Sequence, residues 1–313
     1  MFNVEIKSDV DEDICILIKV DNHSYNYISE CGEARKLGVK ECQNTNAIFL
    51  SHTHIDHFVN FDTILRHQIG IQRTVTIVGP KGIINQVQNR IKSYCWNLIE
   101  EESICYEVRE ILSPLKFRSI QLKPPFWEIE NDKEFTSDQI FTEKEFHVEF
   151  EILDHKTDSI SYLFRGKDKV KIELPKGLKG GKWVGELKNA FKDNDAEKLV
   201  LIDGKEVKCE DLFHLIKIQR GKRLGIIMDH AANESNHDKI FNRFLKCDTV
   251  LIESFYKDED KEFAEKNFHS YASESGKIMK RAKVKEAIPV HFSRKYEKEE
   301  IDELIVQFKK AKE

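Results

Sequence analysis

The apolar run Ala47 to Leu50 leads straight into Ser51-His52-Thr53-His54-Ile55-Asp56-His57, which sets four potential metal ligands within six residues. Three imidazoles and a carboxylate packed on one short loop are electrostatically reasonable when a divalent ion neutralises them, because neutral imidazole and carboxylate are good zinc ligands. A loop that follows a β-strand is also where binding side chains collect on a rigid scaffold. Two of the four can reach one ion while the other two turn toward a second. A binuclear centre therefore needs further ligands, and these belong at other strand ends. His155 after the strand Val148 to Leu153, Asp229 after Leu224 to Met228, and His291 at the end of Ile288 to Val290 meet that requirement. With the loop they make seven ligands, enough for two metals bridged by one carboxylate.

The rest of the chain supplies a scaffold of matching type. Short apolar runs in the first 50 residues read as strands, Thr74 to Val78 as another, and Ile83, Ile84, Val87, Ile91, Tyr94 and Leu98 form a helical stripe. Short β-like runs return from Ile104 to Phe164. From about Arg165 to Lys222 the chain is charged with weak periodicity, so an insertion is expected around 165–222 of an otherwise single domain over 1–313. The last third alternates strand and helix, with strands expected over Arg223 to Met228, Thr249 to Phe255 and Val284 to Phe292. Strands at both ends of the chain, each half finishing in helices, predict an α/β protein with two sheets packed between helices.

Composition narrows the class further. With 313 residues, 40% apolar and 34% charged, the chain is neither collagen-like nor mostly disordered. It has no apolar run approaching a membrane span, and its start, MFNVEIKSDVDED, is acidic where a signal peptide is basic and then apolar. A cytoplasmic location is expected. The seven Cys form no CxxC pair and read as reduced thiols, mostly in the core. A net charge of −5 excludes nucleic-acid binding by bulk charge but leaves room for a local basic patch. Such a patch exists: Arg165 to Lys188 carries eight Lys or Arg against three Asp or Glu.

His52-Thr53-His54-Ile55-Asp56-His57 resembles the HxHxDH signature of the metallo-β-lactamase fold. Cys31-Gly32-Glu33-Ala34 is similar to the DCGEGTQ segment of its tRNase Z branch, and Leu251-Ile252-Glu253-Ser254-Phe255 to its HEATF segment. Phe268-His269-Ser270 resembles its HST, and Val290-His291-Phe292-Ser293-Arg294-Lys295-Tyr296 its final THFSxRY. Pro175-Lys176-Gly177, with Gly180-Gly181-Lys182-Trp183 and Gly185-Glu186-Leu187-Lys188, resembles the PKGxxxGxLK stretch. The ordered series spans residues 31 to 296.

The resemblance implies a four-layer αββα sandwich with binuclear zinc, manganese or another divalent ion being an alternative. It puts His52, His54 and His155 on one ion, Asp56, His57 and His291 on the other, and Asp229 between them. Asp56 would also orient the attacking water. His269, held by Glu253, would protonate the leaving oxygen. Two such ions lower the pKa of a shared water toward about 7 and neutralise charge on the attacking and leaving oxygens. The implied reaction is endonucleolytic removal of the 3′ trailer from precursor tRNA, leaving a 3′ hydroxyl. Lys176, Lys179 and Lys182 would contact RNA, and the family's habit of pairing implies a homodimer.

Several positions depart from the pattern. Ile55 and Asn60 stand in a neighbourhood where the family usually has glycine, and His230 follows Asp229 where the family prefers threonine. No glycine-proline-rich flexible arm is evident. Two other readings share these motifs: a phosphodiesterase for small diesters such as cyclic nucleotides, which has no need of the basic segment, and a catalytically silent metal-bound RNA-binding protein.

Overall fold

The computed structural model describes residues 1–313, which divide into two compact units, Met1–Arg165 with Lys222–Glu313, and Gly166–Gly221. In the larger unit, β1 (Phe2–Ile6), β2 (Ile16–Val20), β3 (Asn26–Ser29), β4 (Thr45–Phe49), β5 (Thr74–Gly79), β6 (Cys105–Ser113), β7 (Lys116–Leu122) and β8 (Glu130–Thr136) form one sheet in that spatial order. β3 to β6 run parallel, and the strands outside them pair antiparallel.

A second sheet begins with β9 (Gln139–Thr142), β10 (Phe146–Asp154) and β11 (Asp158–Gly166). The small unit then carries β12 (Lys169–Ile172), β13 (Leu199–Ile202), β14 (Lys205–Lys208) and β15 (Ile216–Gln219). The second sheet is completed by β16 (Arg223–Ile227), β17 (Thr249–Glu253) and β18 (Glu286–Val290), in the order β18-β17-β16-β11-β10-β9. β16, β17 and β18 are mutually parallel, so Asp229, Glu253 and His291 emerge at or beyond the same, carboxyl ends.

Alternation along the strands explains the layers. In β2, Ile16, Ile18 and Val20 point between the sheets while Leu17 faces the helices beyond the first sheet. Strands buried on both faces read as continuous apolar runs, which is why this one does. Between the sheets, Phe49 meets Tyr162 and Phe164 edge-on at centroid distances of 5.2 and 5.1 Å, and Tyr162 Oη donates to Leu50 O at 2.6 Å. That bond ties β11 to the strand that delivers the histidine loop. Outside the first sheet lie helices Phe61–Gln68 and Ile83–Lys92; outside the second lie Glu234–Phe244, Ala272–Arg281 and Lys298–Lys312. The expected helix–sheet–sheet–helix sandwich is the observed one.

One local expectation needs correction. The helix expected to run to Leu98 stops at Lys92, where Ser93 Oγ donates to Arg90 O (2.6 Å) and Trp96 Nε1 to Ile91 O (2.8 Å). Tyr94 and Leu98, read as part of its apolar stripe, are exposed. β8 is exposed at every position, so it carries no alternation for a sequence reading to find, and its conformation rests on pairing with β7.

The Gly166–Gly221 unit has its own small core around Trp183, Leu187, Val200 and Cys209. Its helix Lys182–Lys192 places Trp183, Leu187 and Ala190 on the buried side. The β13–β14 hairpin turns through Asp203 and Gly204, both at positive φ (49° and 82°), the two-residue turn whose twist matches the flanking strands and which favours an Asp-Gly pair. No helix of the protein is long and apolar enough to cross a membrane.

Candidate metal centre

His52 and His54 follow β4 directly, and the short helix Ile55–Phe58 that comes next presents Asp56 and His57. His155, Asp229 and His291 arrive from just beyond the ends of β10, β16 and β18. Open α/β sheets collect ligands in this way, at strand carboxyl ends. One ligand atom from each of His52, His54, His155 and Asp229 lies within 4.8 Å of the others, and the same holds for Asp56, His57 and His291.

The two oxygens of Asp229 face different groups. Oδ2 lies 3.7 Å from His52 Nε2 and 3.5 Å from His155 Nε2. Oδ1 lies 3.3 Å from His57 Nε2 and 2.8 Å from His291 Nδ1. Asp56 Oδ2 stands 3.5 Å from both His57 Nε2 and His291 Nε2. Donor atoms bound to one tetrahedral zinc sit about 3.3 Å apart, so most of these separations suit ligands sharing an ion. His52 Nε2, His57 Nε2, His291 Nδ1 and Asp229 Oδ1 are all buried without a hydrogen bond. Unpaired buried polar atoms are costly, and their convergence fits a divalent cation.

The electrostatics agree. Burial, with His57 beside it, pushes His52 down to about 2 and keeps that ring neutral. Burial also opposes charge on His57, but Asp229 and Glu30 outweigh it and hold the ring well above the usual histidine range. His291 is raised to about 9 against its burial, chiefly by Asp229. Asp229, although buried, is held well below the usual carboxylate range by His291 and His57.

Glu253 and His269 adjoin this cluster. The fully buried Glu253 accepts from His269 Nδ1 in a short contact, from His230 N at 3.0 Å and from Ser270 N at 3.3 Å. His269 Nδ1 is also 3.7 Å from Asp229 Oδ2, on the His52–His155 side. Burial opposes ionisation of Glu253, but His269 brings its pKa down to about 2. His230 is buried with Nδ1 2.9 Å from Met228 O, so it packs beneath Glu253.

Glu30 belongs to this site as well, although no ligand spacing in the sequence marks it. Its buried carboxylate accepts from Ser51 N (3.0 Å) and Ser51 Oγ (3.0 Å) and meets His57 Nδ1 at 3.0 Å, while Ser51 Oγ meets His52 Nδ1 at 3.0 Å. One carboxylate therefore fixes two rings with Nε2 turned toward Asp229. Glu30 and His291 both have positive φ, 64° and 56°, a conformation that costs a residue with a side chain and that concentrates at functional sites. The signal available in the sequence was the position of Glu30 directly before Cys31-Gly32.

The chain resembles known proteins in sequence and in fold. Ribonuclease Z of Borreliella burgdorferi (strain ZS7) is 29% identical over 290 residues, covering 90% of this chain and 80% of that protein. The chain is similar to ribonuclease Z proteins over most of its length. Ribonuclease Z of Methanocaldococcus jannaschii is 25% identical over 283 residues, covering 88% of this chain and 78% of that protein. Among solved structures, the metallo-β-lactamase fold protein YhfI of Bacillus subtilis superposes with a TM-score of 0.58 at 16% identity, covering 98% of this chain and 92% of that one. The short form of human tRNase Z does so with a TM-score of 0.54 at 13% identity, covering 90% and 86%. These two share the fold. No protein-family model matches the chain.

The lysines expected to meet RNA lie in the small unit. Lys176, Lys179 and Lys182 are exposed, and Lys182 pairs loosely with Glu186 one helical turn on, an interaction too solvated to hold the side chain. Ile55 is 78% exposed beside His54 and Asp56, so an apolar side chain stands next to two members of the cluster.

Proposed function

We propose that the chain is a metal-dependent endoribonuclease of the tRNase Z type, which removes the 3′ trailer from precursor tRNA and leaves a 3′ hydroxyl. One observation carries this reading: His269, bound through Nδ1 to the buried Glu253, stands beside Asp229 at the edge of the seven clustered donors. A proton donor at that place suits departure of a sugar oxygen. The ribonuclease Z relatives, matched over most of the chain, support the same reaction class.

In this reading His52, His54 and His155 would hold one divalent ion and Asp56, His57 and His291 a second, with Asp229 available to both; zinc suits the nitrogen-rich donor set, and manganese is the alternative. Bound there, two ions would supply activated water and neutralise charge on the phosphoryl oxygens. Asp56 would also orient the attacking water. Glu253 engages His269 Nδ1, so Nε2 is the atom that delivers a proton to the O3′ leaving group, and Glu253 stabilises the charged ring before transfer. Ser51 and Glu30 keep His52 and His57 presenting Nε2. Lys176, Lys179 and Lys182 attract the RNA backbone without reading its sequence. Assembly as a homodimer in the cytoplasm completes the proposal, and light scattering of the purified protein checks the stoichiometry.

Replacing Lys176, Lys179 and Lys182 together with Ala separates an RNA substrate from a small diester. The expected result is a fall in turnover of trailer-bearing precursor tRNA relative to bis(p-nitrophenyl) phosphate. Equal effects on both would favour a phosphodiesterase of small molecules. RNA affinity without hydrolysis by the unmodified protein loaded with zinc, manganese or cobalt would favour a silent binding protein.

A further inference from the structure

A cavity of about 270 Å³ opens beside Asp56 and His291, walled by Ile55 and Phe292 and bordered by Asp13 and Arg294. Its size suits one flat ring system rather than a larger ligand. Ile55 supplies an exposed apolar surface that the fold has no use for in its core. Arg294 Nη2 meets Asp13 Oδ1 at 3.1 Å and Glu33 Oε2 at 2.7 Å. Asp13, a carboxylate in the cavity's lining, thus meets Arg294 through one of its two oxygens. Gly32 makes this placement possible, since a Cβ there would stand 2.3 Å from the backbone carbonyl of Asp13.

Position relative to Asp229 gives the cavity a direction along a nucleic-acid strand. His269 lies on the Oδ2 side of Asp229, whereas His291, which borders the cavity, lies on the Oδ1 side. If His269 protonates O3′ of the retained nucleotide, the strand passes from there through the phosphate and away from His269, toward the cavity. Resting on the proposed ribonuclease activity, we propose that this cavity receives the base of the first trailer nucleotide, stacked on Ile55 and Phe292, and that Asp13 accepts a hydrogen bond from an exocyclic amine of that base. The subsite is specific for the leaving segment, not for the body of the tRNA.

The test uses two metal-loaded reactions that differ by one amine: precursor tRNA with adenosine as first trailer nucleotide, and the same RNA with purine riboside there. A hydrogen bond to a carboxylate predicts a kcat/KM roughly tenfold higher for adenosine. Asp13→Ala should bring the ratio close to one, and Ile55→Ala should lower kcat/KM for both RNAs while keeping the ratio. Moving the purine riboside to the last retained nucleotide should have little effect. Equal cleavage of both RNAs by the unmodified enzyme overturns the subsite while leaving the ribonuclease reading intact, as does a larger effect at the retained nucleotide or a ratio that persists in Asp13→Ala. Failure to cut either RNA overturns both.

Discussion

Phe255 lies flat on His269, with ring centroids 3.9 Å apart and planes 8° from parallel. Between this stack and the Nδ1 contact with Glu253, the imidazole has one orientation available, with Nε2 as the free proton donor. His269→Ala should therefore lower RNA cleavage by about 10²–10⁴-fold. Bis(p-nitrophenyl) phosphate releases a nitrophenolate that departs without a proton, so the variant should lose far less on that diester. Phe255→Ala should lower kcat on RNA more than it changes KM. Steady-state kinetics on both substrates check the pair, and equal losses on both would remove the acid role.

Glu30 is the residue whose loss should reach both halves of the metal cluster, since it holds His57 directly and His52 through Ser51. Glu30→Gln keeps the shape but not the charge. Partners that orient metal-binding histidines typically contribute 10–100-fold to affinity, and a fall of about that size is expected in competition with a chromophoric chelator. Unchanged affinity would reduce Glu30 to a packing role.

Metal removal should also destabilise the fold. His52, His57, His291 and Asp229 carry buried atoms without hydrogen bonds, and an ion bound to the native state alone raises its stability by mass action. Thermal melts of chelator-treated protein should shift upward on titration with zinc. In His54→Ala the shift should be smaller at equal zinc concentration.

The interface between the sheets should be sensitive to volume. Phe49 is fully buried and touches Phe141, Tyr162 and Phe164, so Phe49→Ala should cost about 3–5 kcal/mol in urea unfolding. Because the next residues are Leu50 and the histidine loop, the same variant should weaken metal binding.

Asp248 predicts a pH dependence remote from the metal cluster. Partial burial works against its charge, but Lys285 Nζ at 2.6 Å and the Arg223 backbone amide at 3.0 Å hold its pKa below the usual value. A carboxylate lowered in the folded state stabilises above its unfolded pKa, near 3.9, and loses that contribution as pH falls through the folded value. Asp248→Asn should lower stability at pH 7 by on the order of 1 kcal/mol after allowance for solvent screening. The difference between variant and parent melting temperatures should shrink below about pH 4.

What could be read from the sequence was what concentrates in it. His52, His54, Asp56 and His57 sit within six residues, and strand-end positions singled out His155, Asp229 and His291, which the fold brings to the same place. Both sheets could be anticipated because strands such as β2 and β4 are apolar on two faces. Glu30 was marked only by its place before Cys31-Gly32: its partner His57 lies 27 positions away, and a lone acid after a strand has no periodicity. The end of the helix at Lys92 depends on Ser93 and Trp96 capping carbonyls, a local competition that the apolar spacing of Tyr94 and Leu98 conceals. The close approach of Gly32 to the Asp13 carbonyl joins two loops in a way that no spacing in the sequence records.

The most direct measurement is the mapping of products from a precursor tRNA carrying a 3′ trailer, incubated with protein loaded with zinc or manganese, with His54→Ala and His269→Ala in parallel. The predicted result is a single cut just after the discriminator base, a 3′ hydroxyl on the tRNA, no cut by His54→Ala, and a rate lowered about 10²–10⁴-fold in His269→Ala. Turnover of bis(p-nitrophenyl) phosphate with every precursor tRNA left intact would contradict the account and leave a metal-dependent phosphodiesterase with a smaller natural substrate.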